Sequence, residues 1–197
     1  MYNVTIDNVH DVDNGAIEAG KHYPEYPKNK INMDIRAVKL DGNSPYCLLR
    51  IGQDGFGNRK AAHGEAYNIN ATNLYSRGGC VIMLNVTLKN SYFGNIYAEN
   101  DVDYIVTTKS GRISQNYGAE LENIVFENIF YDNTDNPDGT AFDFDVNNTE
   151  YGVKNVVINR AFLGNCKSIF NMRENGEVAF FGIRGENVTE ADGKLTK

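Results

Sequence analysis

The sequence predicts an all-β protein, a right-handed parallel β-helix solenoid of about six to seven irregular coils. Three observations support this fold class. A short asparagine-containing motif recurs along the chain, a second apolar strand follows most copies, and no segment has the period of an amphipathic helix. Because an ordinary parallel sheet needs helical crossovers, a repeating chain of strands is instead predicted to wind into coils that stack in parallel.

The recurring motif reads asparagine, apolar, any residue, apolar, any residue, and then often a small polar residue. An alternation with period two over so few residues is typical of a strand. Stacked asparagines can hydrogen-bond along the stack, which favours parallel coils over an antiparallel sandwich, the main alternative. The second apolar residue of each copy anchors one predicted coil: Ile6, Ile35, Ile69, Leu88, Phe126, Ile158 and Ile183.

Each predicted unit runs strand, turn, strand, loop. The second strands are GAIEA, YCLLRI, CVIML, DYIVTT, TAFDFDV and SIFNM. Turn-forming dipeptides separate strands, namely Asp-Gly at 41–42, Gly-Gly at 78–79 and Asp-Gly at 138–139.

Size and charge restrict the possible functions. The 197 residues fit a single domain, 1–197, and the net charge of −7 disfavours a nucleic-acid partner. No apolar run is long enough for a membrane span, and no signal peptide opens the chain. The motif begins at Asn3 without the cap that solenoid ends need, which favours a chain that starts inside a longer protein or follows a trimmed secretion signal. An extracellular or cell-surface location is expected.

The three cysteines, Cys47, Cys80 and Cys166, each lie in or beside an apolar run. Their number and spacing do not suggest a disulfide framework, and no histidine or paired cysteine lies near them to complete a metal site. We therefore expect small buried hydrophobic residues, and neither a metal nor a cofactor is predicted.

The motifs NVTIDNV, NIVFENI and NVVINRA, each with its turn and apolar strand, resemble the pectate-lyase-like superfamily. The stretch Asn32–Gly52 is most similar to coils of polygalacturonase-type glycoside hydrolases. This resemblance implies the β-helix fold and a polysaccharide ligand. It implies no catalytic residues, because the family's Asp-Asp and Gly-His-Gly signatures are missing. The Asn-Thr-Asp at 133–135 lies among turn formers, and Arg-Ile at 50–51 is followed by glycine instead of lysine.

The first candidate site is the strand TAFDFDV. Strand alternation places Phe142 and Phe144 on the inward face and Asp143 and Asp145 on the outward face, with Cα atoms about 7 Å apart. Two neighbouring carboxylates are the catalytic pair of most glycosidases, so both are candidate catalytic residues. The alternatives are solvated acids that discourage edge pairing and passive binding of a sugar or cation.

Basic residues on neighbouring strands extend this candidate site. The same alternation places Arg50, Lys109 and Arg173 outward, where their side chains would bind the carboxylates of an acidic polysaccharide. Ordinary ion pairs between coils are the alternative. The loop 52–65 adds His63, a candidate acid, base or substrate-binding residue, although a solvated loop histidine explains it equally simply.

Tyrosines form a further candidate, because Tyr23, Tyr26, Tyr75 and Tyr92, if exposed, could stack on sugar rings. The alternative is that these tyrosines simply pack loops against the core. Taken together, these features predict a protein that binds or processes an acidic polysaccharide or oligosaccharide along an outward sheet face. If it is an enzyme, glycoside hydrolase or polysaccharide lyase chemistry is expected. The alternatives are a non-catalytic adhesion module of the tailspike type, which would form a homo-oligomer, and a structural fragment of a larger β-helix protein.

Overall fold

The structure, a computed structural model, describes residues 4–7, 10–11, 17–19, 33–40, 47–52, 65–85, 87–108, 121–144, 152–172 and 176–190. In chain order the strands are β1 (Val4–Asp7), β2 (His10–Asp11), β3 (Ile17–Ala19), β4 (Met33–Leu40), β5 (Cys47–Gly52), β6 (Glu65–Tyr67), β7 (Ile69–Asn85), β8 (Thr87–Thr107), β9 (Leu121–Asp132), β10 (Thr140–Phe144), β11 (Val153–Met172) and β12 (Gly176–Glu190).

The described strands form one sheet in which every pairing is parallel. The main path of this sheet begins with β1 and ends with β12. The predicted all-β class is therefore confirmed. Within the described residues, no helix is long and apolar enough to cross a membrane.

The predicted solenoid of about six to seven separate coils is wrong. Strand β8 pairs with both β9 and β10, and each of these pairs with β11. The hydrogen bonds of these four strands therefore close into a parallel, barrel-like ring, and the remaining strands are bonded outside it. The right-handed parallel β-helix is replaced by this closed arrangement.

Long, bent strands explain the difference. Strands β7, β8 and β11 contain 17, 21 and 20 residues, where the sequence predicted two short strands and a turn. The predicted turn at Gly78 and Gly79 lies inside β7, at register irregularities, with a φ of 61° at Gly79. One strand can thus bond different partners along its length, which closes the ring. The predicted turn at Asp138 is confirmed, whereas 41–42 lies outside the described residues.

The bends occur mostly at asparagine. Positive φ angles recur five residues apart within one strand, as at Asn90, Asn95 and Asn100 in β8. Asparagine tolerates this left-handed conformation better than most residues, because its short amide can hydrogen-bond locally. The described asparagines with positive φ are Asn68, Asn73, Asn90, Asn95, Asn100, Asn123, Asn128, Asn155, Asn165 and Asn187.

These asparagines stack in columns across the strands, as predicted. Asn95 Nδ2 donates to Asn73 Oδ1 at 3.0 Å, and Asn128 Nδ2 donates to Asn95 Oδ1 at 3.2 Å. We call Asn73, Asn95 and Asn128 the amide column. A second column joins Asn90, Asn123 and Asn155 through similar bonds of 3.0 and 2.8 Å.

The inward face forms one continuous apolar core. Phe93 and Phe126 stack at 5.2 Å between ring centroids, and Phe142 and Phe144 pack against Phe126 from β10. Of the predicted anchors, Ile69, Leu88, Phe126 and Ile158 are fully buried, and Ile183 is half-buried. Period-two alternation therefore predicted the inward residues correctly for these strands.

The cysteine prediction needs one correction. All three cysteines are buried as expected, and Cys166 is a free thiol. Cys47 and Cys80, however, form a disulfide. They are register partners on β5 and β7, with Cα atoms 4.6 Å apart. Their separation of 33 residues gave no sign of pairing, because only the alignment of the two strands brings them together.

Removal of this disulfide is expected to destabilise the protein. Closing a chain segment of 33 residues restricts the unfolded state and stabilises the fold by about 3–4 kcal/mol in the chain-entropy account. We expect Cys80→Ser, or reduction of the wild type, to lower the urea midpoint accordingly. Cys166→Ala is the control, since it removes the free thiol and keeps the disulfide. Equal midpoints for oxidised and reduced wild-type protein would contradict the assignment.

Asn95 is expected to contribute through both its backbone and its amide. Asn95→Gly retains the left-handed φ and loses the two column hydrogen bonds, each of which contributes about 1 kcal/mol. Asn95→Ala loses the same bonds and also places a Cβ at positive φ, which costs about 1–2 kcal/mol more. Urea denaturation should therefore rank the variants wild type, glycine, alanine. Equal stability of Asn95→Ala and Asn95→Gly would contradict a left-handed backbone at this position.

Candidate functional site

An aromatic column lies on the outward face, formed by Tyr75, Tyr97, Phe130 and Phe162. These residues are register partners in successive strands. Their ring centroids are 5.4, 4.7 and 5.3 Å apart in that order, and the ring planes are nearly parallel. Each aromatic residue lies two positions after the positive-φ residue of its own strand. The bend that stacks the asparagines therefore also stacks the rings.

The stacking determines which part of each ring reaches solvent. The faces of Tyr97 and Phe130 are covered by their neighbours in the column, so these rings present their edges. Tyr97 remains 40% exposed. At the end of the column the guanidinium carbon of Arg184 lies 5.8 Å from the ring centroid of Phe162, within cation–π range. The exposed surface is therefore a narrow apolar ridge that ends in a cation.

A shallow groove of about 560 Å³ runs between this ridge and the amide column. Its floor is formed at the inward-facing positions of three successive strands. Its walls are aromatic on one side and amide or guanidinium on the other. The lining residues are Asn95, Ile96, Tyr97, Asn128, Ile129, Phe130, Arg160, Ala161, Phe162 and Gly182.

The amide wall retains hydrogen-bonding capacity for a ligand. An asparagine side chain offers two N–H donors and an oxygen with two lone pairs. Within the column Asn95 uses one donor towards Asn73 and one lone pair towards Asn128. Among the residues that the structure describes, no other side chain uses the second N–H and the second lone pair of Asn95, so both stay available to a polar ligand.

Arg160 replaces asparagine at the next position of the amide column, with a φ of 55°. Its Nη2 lies 2.7 Å from Glu127 Oε1, and its side chain is 61% exposed. Glu127 also accepts hydrogen bonds from Asn159 Nδ2 at 2.8 Å and from the Tyr92 hydroxyl at 3.0 Å. These contacts fix the carboxylate that holds the guanidinium beside the groove.

The electrostatics of this cluster follow from its hydrogen bonds. The bond donated by Tyr92, together with that from Asn159, lowers the pKa of Glu127, and the positive Arg160 acts in the same direction. Burial and the neighbouring Glu127 raise the pKa of Tyr92. The cluster therefore favours an ionised Glu127 and a neutral Tyr92, a state suited to holding Arg160 and unsuited to proton donation by Glu127.

Two glycines shape this region. Gly182 follows Arg160 in the column with a φ of 62°, and a Cβ there would lie 3.7 Å from Arg160 Cα. Having no side chain, it leaves the guanidinium uncovered at the end of the groove. Gly94 is overlain by the ring of Tyr92, because a Cβ at Gly94 would lie only 2.7 Å from Tyr92 Cε1. This close approach lets the Tyr92 hydroxyl reach Glu127.

The structure corrects the expected position of Asp143. Its neighbours Phe142 and Phe144 are buried as predicted, but Asp143 is also buried, with 1% exposure. Its register partners are Thr107 and Asn171, and Asn171 Nδ2 donates to Asp143 Oδ1 at 2.8 Å. The register therefore places Thr107, Asp143 and Asn171 in one row. The expectation that the carboxylate faces solvent is wrong, and its catalytic role remains a prediction.

Arg50 belongs to the same row by register, which passes through Met83, Thr107 and Asp143. Met83 and Thr107 are buried, so the central part of this row offers no open surface to a polysaccharide. Other predicted site residues lie outside the described residues: His63, Lys109, Asp145, Arg173, Tyr23 and Tyr26.

Of the predicted sugar-stacking tyrosines, Tyr75 lies in the aromatic column and Tyr92 in the Glu127 cluster. Tyr97, Phe130 and Arg160 were not predicted as site residues. A signal for these residues was present in the five-residue spacing of asparagines, since an aromatic residue follows by two positions at 75, 97, 130 and 162. This pattern becomes visible only when strands that lie 22 and 33 residues apart in the sequence are aligned.

Comparisons with known proteins give no match: no family model, curated protein or solved structure is significantly similar to this chain. The resemblance of its motifs to the pectate-lyase-like superfamily therefore stays a prediction.

Protonation of Glu127 is expected to weaken the fold. Because its pKa is lower in the folded protein than the usual 4.5, its stabilising contribution is complete above that value and is lost as the pH falls through the folded pKa. The stability difference between wild type and Glu127→Gln should therefore narrow from about pH 7 to about pH 3. Urea denaturation at both pH values measures it, with exposed Glu177→Gln as control. A stability difference between the two proteins that does not change with pH would contradict the hydrogen bonds assigned to Glu127.

Proposed function

We propose that the protein binds a linear polysaccharide or oligosaccharide along the groove between the aromatic and amide columns. The observation that carries this proposal is the groove itself, an elongated surface with an apolar wall facing a polar wall. The lining repeats from strand to strand at the spacing of parallel neighbours, about 4.8 Å. A repeating surface of this kind suits a ligand that is itself a linear repeat.

The chemistry of the two walls matches that of a sugar chain. The amides of Asn95 and Asn128 offer donors and acceptors to hydroxyl groups. The ring edges of Tyr97 and Phe130 offer apolar contact to the C–H groups of the same sugar. Because the ring faces are covered within the column, this contact is edgewise and differs from the face-on stacking predicted for exposed tyrosines.

A peptide ligand fits this groove less well. An extended peptide usually binds by adding a strand to a sheet edge, where main-chain hydrogen bonds supply the affinity. The groove lies on the face of strands whose main-chain groups already pair with their neighbours, as for Tyr97 and Phe130. Side-chain amides are the donors that remain, and they suit hydroxyl groups.

An acidic sugar is favoured at one end of the groove. Arg160 lines the groove, and the guanidinium of Arg184 lies over Phe162, which lines the same groove. Arginine binds carboxylates through charge-assisted hydrogen bonds. The net charge of −7 opposes attraction of an acidic polymer at long range, so this preference depends on these local arginines.

Binding without cleavage is the form of the proposal that the described residues support best. Glycosidases generally need two carboxyl groups at the scissile bond, and the described lining of the groove contains no aspartate or glutamate. Asp143 is buried in another row. The disulfide between Cys47 and Cys80 supports the expected extracellular or cell-surface location, since such bonds persist in oxidising compartments.

Calorimetry with matched oligosaccharides tests the proposal. We expect the wild type to bind uronic acid oligosaccharides, and Arg160→Asn to weaken this by about tenfold or more, because one charge-assisted hydrogen bond contributes about 1.5–3 kcal/mol. Asparagine suits the positive φ at this position, and binding of a neutral oligosaccharide of equal length should be unchanged. Tyr97→Ala should weaken the binding of both ligands, and the control Glu177→Gln should weaken the binding of neither. Equal affinities for all four proteins would contradict the proposed groove.

The same mixtures distinguish binding from turnover. No new reducing ends should form on prolonged incubation of the wild type with either oligosaccharide. Their appearance would contradict binding without cleavage. Asp143→Asn, if it then abolished activity and left the fold intact, would assign the chemistry to the TAFDFDV strand.

A further inference from the structure

The amide wall of the groove changes its chemistry on its third strand. Asn95, Asn128 and Arg160 line the groove from β8, β9 and β11, with φ angles of 53°, 55° and 55°. The backbone is therefore nearly the same at the three positions, and the side chain is what differs. A ligand group beside β8 or β9 meets a neutral amide, whereas the same group beside β11 meets a guanidinium on a side chain that is 61% exposed.

The opposite flank of the aromatic column changes on the same strand. Two positions after the rings of β8, β9 and β11 lie three register partners, Glu99, Asp132 and Gly164. The first two carry half-buried carboxylates, and the third has no side chain. The ring of Phe162 lies over Gly164, because a Cβ there would be 3.1 Å from Phe162 Cε1. The column is therefore flanked by a carboxylate on β8 and β9, and by glycine under an aromatic ring on β11.

Both carboxylates act on the exposed edge of the column. Burial raises the pKa of the Tyr97 hydroxyl, and the nearby carboxylates of Glu99 and Asp132 raise it further. Tyr97 lines the groove and is 40% exposed. A second negative charge brought to the groove beside β8 or β9 would meet the same unfavourable field as an ionised Tyr97.

The charge of Asp132 is less balanced than that of Glu99. Arg77 Nε lies 3.4 Å from Glu99 Oε1. The donors that the structure describes at Asp132 Oδ1 are both neutral, Asn165 Nδ2 at 2.7 Å and Thr134 Oγ1 at 2.9 Å. We therefore expect Asp132, beside the middle strand of the groove, to contribute most of the repulsion towards an anion.

We infer that the groove takes a mainly neutral glycan with one acidic sugar, whose carboxylate binds Arg160 beside β11. The sugars beside β8 and β9 are uncharged. An extended sugar unit spans about one strand spacing, ~4.8 Å, so successive sugars meet successive strands. This inference rests on the proposed glycan binding and deepens it, because it assigns the charged position and names Glu99 and Asp132 as the residues that disfavour charge elsewhere. Specificity then combines one attractive contact with two repulsive ones.

The attractive and repulsive contributions differ in size. A carboxylate bonded to Arg160 is in direct contact, and such a charge-assisted hydrogen bond strengthens binding by about tenfold or more. Glu99 and Asp132 lie beyond the rings, about 7 Å farther along their strands. At that range we expect each to weaken binding of an acidic sugar by roughly two- to fourfold at low salt, and by less at physiological ionic strength.

Calorimetry at low ionic strength with five β-1,4-linked trisaccharides tests the assigned position. The probes are the neutral glucose trisaccharide, the three in which glucuronic acid replaces the first, middle or last glucose, and the fully acidic trisaccharide. One end-charged trisaccharide should bind the wild type about tenfold tighter than the neutral one, and also tighter than the other four probes.

The other results separate this inference from the proposed function. Equal affinities for the three singly charged trisaccharides, or tightest binding of the fully acidic one, would overturn the single acidic position and leave glycan binding intact. Absence of binding by all five trisaccharides would overturn both.

A double variant moves the guanidinium by one strand. Asn128→Arg combined with Arg160→Asn exchanges two residues that already occupy the same left-handed φ, so the backbone suits both. This protein should prefer the trisaccharide with the middle glucuronic acid. An unchanged preference for the end-charged trisaccharide would place the selection elsewhere and overturn the inference.

Asp132→Asn tests the repulsive flank independently of the double variant. Asparagine keeps an oxygen that accepts the hydrogen bonds of Asp132, so the fold should be retained. Affinity for the fully acidic trisaccharide should rise about two- to fourfold at low salt, and affinity for the neutral one should not change. Glu177→Gln is the control, because it removes the same charge from an exposed residue of β12. Equal effects of the two variants would contradict the assigned role of Asp132.

Discussion

The left-handed backbone at regularly spaced asparagines is the constraint on which the rest of this structure depends. A positive φ costs most L-residues about 1–2 kcal/mol, and the column hydrogen bonds between amides, such as those of Asn95, offset part of this cost. Each such residue bends its strand without ending it. Bends in neighbouring strands coincide, so equivalent positions of successive strands lie over one another.

Because the bends are aligned, the remaining positions of neighbouring strands are aligned as well, and this determines which side chains are in contact. Phenylalanine lies over phenylalanine inside the core, and Tyr97 lies between Tyr75 and Phe130 outside it. Continuous bent strands also explain the closed ring, because β8 and β11 bond β9 and β10 at different parts of their length. The disulfide joins two cysteines that share a register position.

The candidate groove lies where the asparagine pattern is interrupted. Arg160 and Gly182 stand at the two positions that follow Asn128 in the amide column. The arginine adds charge to a wall that is otherwise made of amides, and the glycine leaves that charge uncovered. The bend is retained at both positions. A change of side chain at a fixed backbone geometry thus converts a structural column into the wall of a binding site.

The sequence by itself determined the strand content, the inward residues and the stacking of asparagines. Each of these follows from a local pattern: period two fixes which side chains share a face, and a repeated residue type indicates a repeated environment. Tertiary structure decided what local patterns do not encode. Gly79 bends β7 without breaking it, so strands that appeared separate are continuous. Asp143 faces the predicted side of its strand but is buried, because alternation predicts the direction of a side chain and not its exposure to solvent. The disulfide and the aromatic column depend on the register between strands that lie 22 to 33 residues apart in the sequence. Hydrogen bonds between the strands set this register, and loops of unequal length hide it in the sequence.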